Sequence, residues 1–445
     1  MRDKIVQELN SDFKEVRLSG IKKISLLIEG EKEQINKTDE VNNHVHTIYS
    51  FSPYSPSMVV YLAWKAGLKA VGIMDHDSVS GCKELIEACK IIGISSTVGC
   101  ELRVNFTRTA VEGRKLNNPE SENIGYIAIH GIPESRLQEA RKFLAPIQIA
   151  RNKRNQAMVD KLNKLIKNYG IGEIDFEKEV YNISKAQEGG CITERHILYA
   201  FARKIIQKVG EGKKLILFLK DDLGAKLSEK IKDFLLDENN QYYLYDLLGI
   251  LKSTYLDKIF IQPNYKECLS VYKAVNFCNS INAIPAYAYL GDVSDSPTGD
   301  KKAEKFEDDF LEELISELKK IGFKAITYMP PRNTLNQLLH LQRLCKKYEL
   351  MEISGVDINS PRQSFNCPII LRPEFTHLIE ATWALIAHEK LANYNEKYAL
   401  FNSRNPLKDK PLKERIKIYS EIGRKINHRY PELVYEKLKF WLTCF

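Results

Sequence analysis

From Val41 onward, short apolar runs alternate with stretches of helical periodicity, and nothing else in the 445-residue chain restricts its fold as much. Strand patterns run through Val41–His46, Ala70–Met74, Ser96–Val104 and Gly125–His130, with helical patterns at Ser57–Ala66 and Gly81–Ile92. Strands that alternate with helices at this pitch predict βα units and a parallel sheet. Between about Pro133 and Ser270 the alternation stops, and helical patterns at Leu144–Ile166, His196–Val209 and Tyr242–Leu251 read as a mostly helical insertion. It resumes with strand patterns at Ala283–Leu290, Lys324–Met329 and Met351–Ile358, and helices at Phe306–Lys320 and Thr334–Lys347. Seven strands in all point to an α/β barrel. The implied organisation is an N-terminal helical appendage over 1–38, a first part of the barrel over 39–133, and the helical insertion over 134–270. A second part of the barrel follows over 271–372, then a basic helical C-terminal extension over 373–445.

Composition narrows the class. With 44% hydrophobic, 28% charged and 10% aromatic residues, the chain is neither disordered, collagen-like nor a disulfide scaffold. No apolar run approaches the roughly 18 residues of a membrane span, and the start lacks a secretory h-region, so a cytoplasmic protein with no membrane contact is expected. Nine scattered cysteines without a C-x-x-C pair read as reduced core thiols. The net charge of +8 is concentrated late: Phe401–Phe445 holds 11 Lys+Arg and 5 Asp+Glu. A mixed helix of that kind is ordinarily a solvated face.

Histidine placement carries the chemistry. Of nine histidines, His44, His46, His76 and His130 fall at or just past the end of a predicted strand, where parallel α/β barrels build their sites. In Asn43-His44-Val45-His46 the imidazoles are two residues apart, so a strand projects both to one face, with Val41 and Val45 on the other. Neutral imidazole is the commonest metal ligand. Met74-Asp75-His76-Asp77-Ser78 puts three ionisable groups after an apolar strand, with Asp77 or Ser78 a candidate cap for the next helix. Glu101 sits in an apolar strand, where an acid is costly unless it meets a cation. His130 and Asp357 close two further strands, and the set as a whole suits Zn, Mn or Fe.

The ordered set His44-x-His46, Asp75-His76-Asp77, Glu101, His130 and Asp357, with the phrase His46-Thr47-Ile48-Tyr49-Ser50, resembles the PHP domain family, the polymerase and histidinol phosphatase superfamily. The resemblance implies a distorted seven-stranded (β/α)7 TIM-like barrel with up to three metal ions at its C-terminal rim, hydrolysing phosphate esters through a metal-activated water. It implies metal ligation by His44, His46, Glu101, His130 and Asp357. His76 is then a candidate general acid, and Asp75 belongs to the same catalytic phrase. Three positions depart from the family pattern. Phe51 replaces an Asp, Tyr287 replaces the His of an Ala-His-Pro strand end, and Asn359 replaces the final His of Asp-x-His. Because Phe51 and Asn359 fall in one metal position, one or two divalent ions (Mn, Zn or Fe) are expected rather than three. Tyr287 and Asn359 are candidate substitutes where ligands have changed.

Phosphate needs fixed positive charge, and guanidinium forks match its oxygens. Arg332 and Arg362 each follow a predicted barrel strand, and Thr193-Glu194-Arg195-His196 in the insertion resembles a segment of nucleotide-directed PHP phosphoesterases, making Arg195 and His196 further candidates. Gly299-Asp300-Lys301-Lys302 reads as a polar surface loop, and Trp64 and Trp383 as core. His340, His377, His388 and His428 lie in helical patterns without partners at ligand spacing. Phosphate-binding loops, dinucleotide fingerprints and nucleophile elbows are all missing from the sequence. The expected activity is a metal-dependent phosphoesterase acting on a nucleotide, an oligonucleotide end or another small phosphorylated metabolite. The alternative is a PHP-like domain, impaired in catalysis, that binds metal, nucleotide or a protein partner as sensor or scaffold. Hydrolysis of a C–N or C–O bond fits less well with the Lys/Arg excess.

Overall fold

The chain opens with two helices, α1 (Arg2–Glu8) and α2 (Lys14–Glu31), before the alternation begins. Next come β1 (Val41–Val45), α3 (Pro56–Lys65), β2 (Ala70–His76), α4 (Cys82–Ile92), β3 (Ser95–Asn105) and β4 (Ile124–His130). Local chemistry sets these boundaries: Ser55 caps α3 by accepting from the Met58 amide, Pro56 opens its first turn, and Gly93 ends α4 in the left-handed conformation. Neither Asp77 nor Ser78 caps α4. Ser78 instead donates to the Gly189 carbonyl, and the cap position is Gly81.

The insertion contains α5 (Leu137–Ile166), which runs through Pro146 and so starts earlier than its periodicity implied, then α6 (Glu194–Val209), α7 (Lys213–Asp221), α8 (Glu229–Leu236) and α9 (Tyr243–Ile259). The sheet resumes with β5 (Leu269–Ser270), α10 (Val271–Ser280), β6 (Ile284–Ala288), α11 (Leu311–Ile321), β7 (Ala325–Tyr328), α12 (Leu335–Lys347) and β8 (Met351–Ser354), followed by α13 (Thr376–Tyr394) and α14 (Leu412–Lys425). This computed structural model describes residues 2–31, 36–118, 121–292 and 307–436. Phe306, the Gly299–Lys302 run and Cys444 lie outside them. Among the described residues, no helix is long and apolar enough to cross a membrane, and all eight cysteines are buried and unpaired.

The sheet has eight strands, not seven, in the order β1-β2-β3-β4-β6-β7-β8, with the two-residue β5 added beside the end of β3. It is mixed rather than parallel. β4 runs antiparallel to both β3 and β6. The physical reason is the connection from Phe106 to Asn123, which shows no helix among its described residues, so the chain turns back beside β3 instead of crossing over. The sheet curls until the segment past β8 meets β1: Val45 bridges Ile358 in parallel, and the His46 amide donates to the Ile358 carbonyl at 2.9 Å. Gly355 permits this approach, since a Cβ there would stand 2.4 Å from His44 Cβ.

Alternation along the strands divides the core in two. Val71, Ile73, Cys100, Leu102, Ile127 and Ile129 pack outward under the surrounding helices, together with Leu9, Ile21 and Ile24 of the N-terminal segment. Arg17 of α2 is fully buried there and grips Glu84 of α4 through Nε at 2.9 Å and Nη2 at 2.6 Å. Ala70, Met74, Ala128, Ala286, Ala325 and Ile353 face the concave side, which α13 covers with Trp383, Leu385 and Ile386. The insertion has a third apolar cluster of its own, which Phe51 joins. β1 departs from the simple alternation: between Asn42 and Val45 it carries one more residue than β2 opposite, a bulge. Val41 consequently packs with the concave cluster and Val45 with the outer one, rather than both on one face.

On α13, Glu389 is buried, and Oε1 accepts from the Val98 amide at 2.8 Å. Burial pushes its carboxyl up to about 8. An unfolded-chain Glu titrates near 4.3, so the stability this group gives is full below that value and lost as pH rises through about 8. Glu389→Gln is expected to leave the melting temperature unchanged near pH 4 and to raise it relative to wild type at pH 8. Parallel melting curves for the two proteins across that range check the difference.

Candidate metal centre

The rim is built from side chains that alternation turns to the concave side. β1 supplies His44 and His46 past its bulge, β2 supplies His76, and β3 supplies Glu101, paired in register with His76. The closing loop after β8 adds Asp357. Two groups of donor atoms result, each within 4.8 Å of one another: His44, His46 and Asp357, and His46, His76 and Glu101. His46 Nε2 stands 3.1 Å from Asp357 Oδ1, and His76 Nδ1 stands 3.0 Å from Glu101 Oε2. Neither close pair has hydrogen-bond geometry, and both nitrogens are buried without a hydrogen-bond partner. Orphaned nitrogens are expensive in a protein interior. Donors that converge at roughly 3 Å without pointing at each other are what ligands about 2.0–2.2 Å from one cation look like, so the residues fit a divalent ion.

Burial opposes charge on His46, but Asp357, Glu101 and Asp75 outweigh it and push this imidazole up. Burial pushes the His44 and His76 imidazoles down, His76 strongly, with His46 and Arg151 adding to the effect on His76. Both are therefore neutral near pH 7, the form that ligates. Burial opposes charge on Asp357 as well, but the contacts with His46 outweigh it and hold the carboxylate well below its usual range. Glu101 is raised by burial against the pull of His44, His46 and Arg103. Behind His46, Nδ1 lies 3.3 Å from Ser50 Oγ, which donates to Asp75 at 2.7 Å. That relay fixes the imidazole's orientation, as carboxylates behind ligating histidines do.

Several expected site residues lie elsewhere. Asp75 is on the opposite face of β2 from His76, and its oxygens accept from Thr47 N, Thr47 Oγ1 and Ser50 Oγ at 2.6–2.7 Å; it holds the loop after β1 and does not face the rim. His76, read as a free general acid, is instead one of the converging donors. His130 joins neither donor group. Because β4 is antiparallel, its last residue pairs with Gly99, deeper in the sheet than Glu101. Its Nε2 is buried and unpartnered, and burial lowers its pKa to about 3.

Tyr287, the proposed ligand substitute, points outward. It packs against Phe106 and Phe323, and its hydroxyl donates to the buried Glu307. Asn359 directs its amide nitrogen to Asp357 Oδ1 at 2.8 Å and its oxygen to Arg195 at 2.6 Å, so it braces Asp357 and is not itself one of the converging donors. Arg362 is engaged with the insertion. It is clamped on Asp246 of α9 at 2.7 and 2.8 Å and stacks on Phe234. Arg332 lies half-buried in the turn after β7. His196 Nδ1 accepts from the Thr193 amide at 3.0 Å at the start of α6, with Phe51 edge-on to its ring, and burial lowers its pKa to about 3. Among histidines outside the site, His388 is a structural bridge between the Gly131 carbonyl and the Leu400 amide.

Sequence reasoning missed what lies beneath and beside the rim. Arg103, Arg151 and Arg154 interlock with Asp77, Glu194 and Glu267, all buried, at N–O distances from 2.6 to 3.6 Å. This balanced set of charges ties β2 and β3 to α5 and α6, and it anchors Asp77, whose φ of 47° is left-handed. Tyr126, on the same face of β4 as His130 but nearer the rim, lies 5.8 Å from the His76 ring and accepts from Arg103 Nε at 2.7 Å. Burial raises its phenol to about 12. Period-two alternation puts Tyr126 and His130 on one face, but strand direction, which decides the nearer residue, is not written in that pattern.

A curled α/β sheet with imidazoles and carboxylates gathered at its rim defines a class of domains built around a nitrogen/oxygen metal centre. The family model for the PHP domain matches residues 42–321, and the chain belongs to this family. It is 26% identical over 170 residues to the 5'-3' exoribonuclease of Haemophilus influenzae, an alignment covering 38% of this chain and 52% of that protein. The chain thus spans about half the length of the curated relative it matches. Two solved structures are similar at a TM-score of 0.48, each covering 76% of this chain. One, from Bifidobacterium adolescentis, carries the description "putative metal-dependent phosphoesterase" (16% identity, 96% of that chain covered). The other is an amidohydrolase from Chromobacterium violaceum with bound sulfate (17% identity, 95% covered).

With Arg362 committed to Asp246, Arg362→Ala is expected to leave metal content and KM within about twofold of wild type while lowering stability by about 1–3 kcal/mol. Urea unfolding and metal analysis of the same preparation check this. A large rise in KM at full stability would return Arg362 to the substrate site.

Proposed function

We propose that the protein is a metal-dependent phosphoesterase that hydrolyses a phosphate ester of a nucleotide, an oligonucleotide end or another small phosphorylated metabolite. The observation that carries this reading is the convergence of His44, His46, Asp357, His76 and Glu101, with two orphaned imidazole nitrogens among them. His46 Nε2 has one in-plane lone pair and can serve one ion. His44, His46 and Asp357 therefore hold the better-formed position, and His76 with Glu101 a second, weaker one. A bound divalent ion supplies Lewis acidity, lowering the pKa of water to about 7 and offsetting charge on the phosphoryl group.

The chain's own residues do the rest. Asp75 and Ser50 keep His46 oriented. Arg195, at the start of α6 and held on Asn359, and Arg332, in the turn after β7, are the guanidinium groups assigned to phosphate oxygens in this reading. With Nδ1 of His196 accepting from Thr193, its proton sits on Nε2, which makes that edge a hydrogen-bond donor to a phosphate oxygen. His76, held neutral, does not suit the role of proton donor near pH 7. The exoribonuclease relative supports a nucleotide or oligonucleotide substrate. Phe51 and Asn359, which cannot ligate as Asp and His would, favour the second reading: a domain that binds metal and a phosphorylated ligand without turnover.

Hydrolysis of a generic phosphate ester and of short oligonucleotides under Mn, Zn and Fe, with metal analysis of each protein, separates the readings. Wild type is expected to hold metal and hydrolyse, and His44→Ala and Asp357→Ala to lose at least about 100-fold in kcat/KM, beyond what loss of an outer partner costs. Metal without hydrolysis supports the scaffold reading, and activity unchanged in both variants removes the enzyme reading.

A further inference from the structure

Asp357 stands on a loop with 37% of its side chain exposed, so its carboxylate can swing toward solvent unless something holds it. The brace comes from the insertion. Asn359 Nδ2 donates to Asp357 Oδ1 at 2.8 Å, while Arg195 Nη1 donates to Asn359 Oδ1 at 2.6 Å and to the Asn359 carbonyl at 3.4 Å. A guanidinium can only donate, so Arg195 obliges the carboxamide to turn its oxygen inward and its NH2 toward Asp357. Asp357 is thereby met as an ionised acceptor, with Oδ2 and a lone pair on Oδ1 left for a cation. Arg195 is itself well supported: the preceding residue, Glu194, is locked among Arg103, Arg151 and Arg154, which fixes the first turn of α6 against β3 and α5.

We propose that Arg195 is a positioning residue: acting through Asn359, it fixes the Asp357 carboxylate beside His44 and His46, so that the insertion sets this group's affinity for a divalent cation. The inference rests on Asp357 being a cation ligand, as in the function proposed above. It assigns the insertion a role in the metal centre without contact between Arg195 and the ion.

Calorimetric titration of Mn²⁺ into metal-stripped full-length protein tests it, using wild type, Arg195→Leu, Asn359→Leu, the double variant and Arg195→Lys. Each Leu variant is expected to weaken Mn²⁺ binding by about 10–100-fold, and the double variant to bind no more weakly than the worse single, because both break one relay. Arg195→Lys should recover only part of the affinity, since an ammonium lacks the fork. Melting temperatures without metal identify any variant that fails to fold; if Arg195→Leu does, Asn359→Leu and Arg195→Lys decide the matter. Arg195→Leu or Asn359→Leu binding within about twofold of wild type, or losses that multiply in the double variant, would overturn the proposal. If wild type itself binds no Mn²⁺, the proposed function falls along with this inference; if wild type binds and the variants match it, only this inference falls.

Discussion

The backbone bridge between Val45 and Ile358 is the constraint on which the site depends. Without it, the histidines of β1 and the carboxylate that follows β8 would belong to opposite ends of an open sheet. The bridge forms because Gly355 has no Cβ to collide with His44 and because Asn42 bonds both the carbonyl and the amide of Val356. Closure brings Asp357 to 3.1 Å from His46, and the bulge in β1 turns both imidazoles toward it. A donor set assembled from the two ends of a sheet requires the whole curl to be correct, which makes the candidate metal centre a report on the entire fold.

The second organising element is the buried ionic cluster of Arg103, Arg151, Arg154, Asp77, Glu194 and Glu267. Taking six charges out of water is costly, and here the signs balance so that each ion meets a partner. The cluster joins three parts of the chain that are far apart in sequence, and it sits beside the rim, against Tyr126 and the turn after His76. Its contacts tie α5 and α6 to β3 and to the turn after β2. That tie fixes the first turn of α6, which carries Arg195 and His196.

Much of this was legible in the residues themselves. The alternation of strands and helices placed β1, β2, β3, β6, β7 and β8 within a few residues, and the spacing of His44 and His46, with His76 and Glu101, located the rim. Three things were not legible, each for a physical reason. The direction of β4 depends on how the chain crosses from Phe106 to Asn123, so His130 was placed at the rim where Tyr126 stands. The face of a residue inside a motif follows from strand phase, which sends Asp75 and Tyr287 outward although neighbouring motif residues face in. Long-range partners such as Asp246 for Arg362 exist only after the insertion has folded, and a polar side chain after a strand carries no mark of which carboxylate will claim it.

On the proposed reading, this rim holds a divalent cation on His44, His46 and Asp357. Anomalous diffraction at the manganese or zinc edge, from crystals grown with that metal, tests it most directly. A peak is expected about 2.0–2.2 Å from an imidazole nitrogen of each histidine and from an Asp357 oxygen. Metal-replete crystals with no peak there, or with the ion bound at His130 instead, would contradict it.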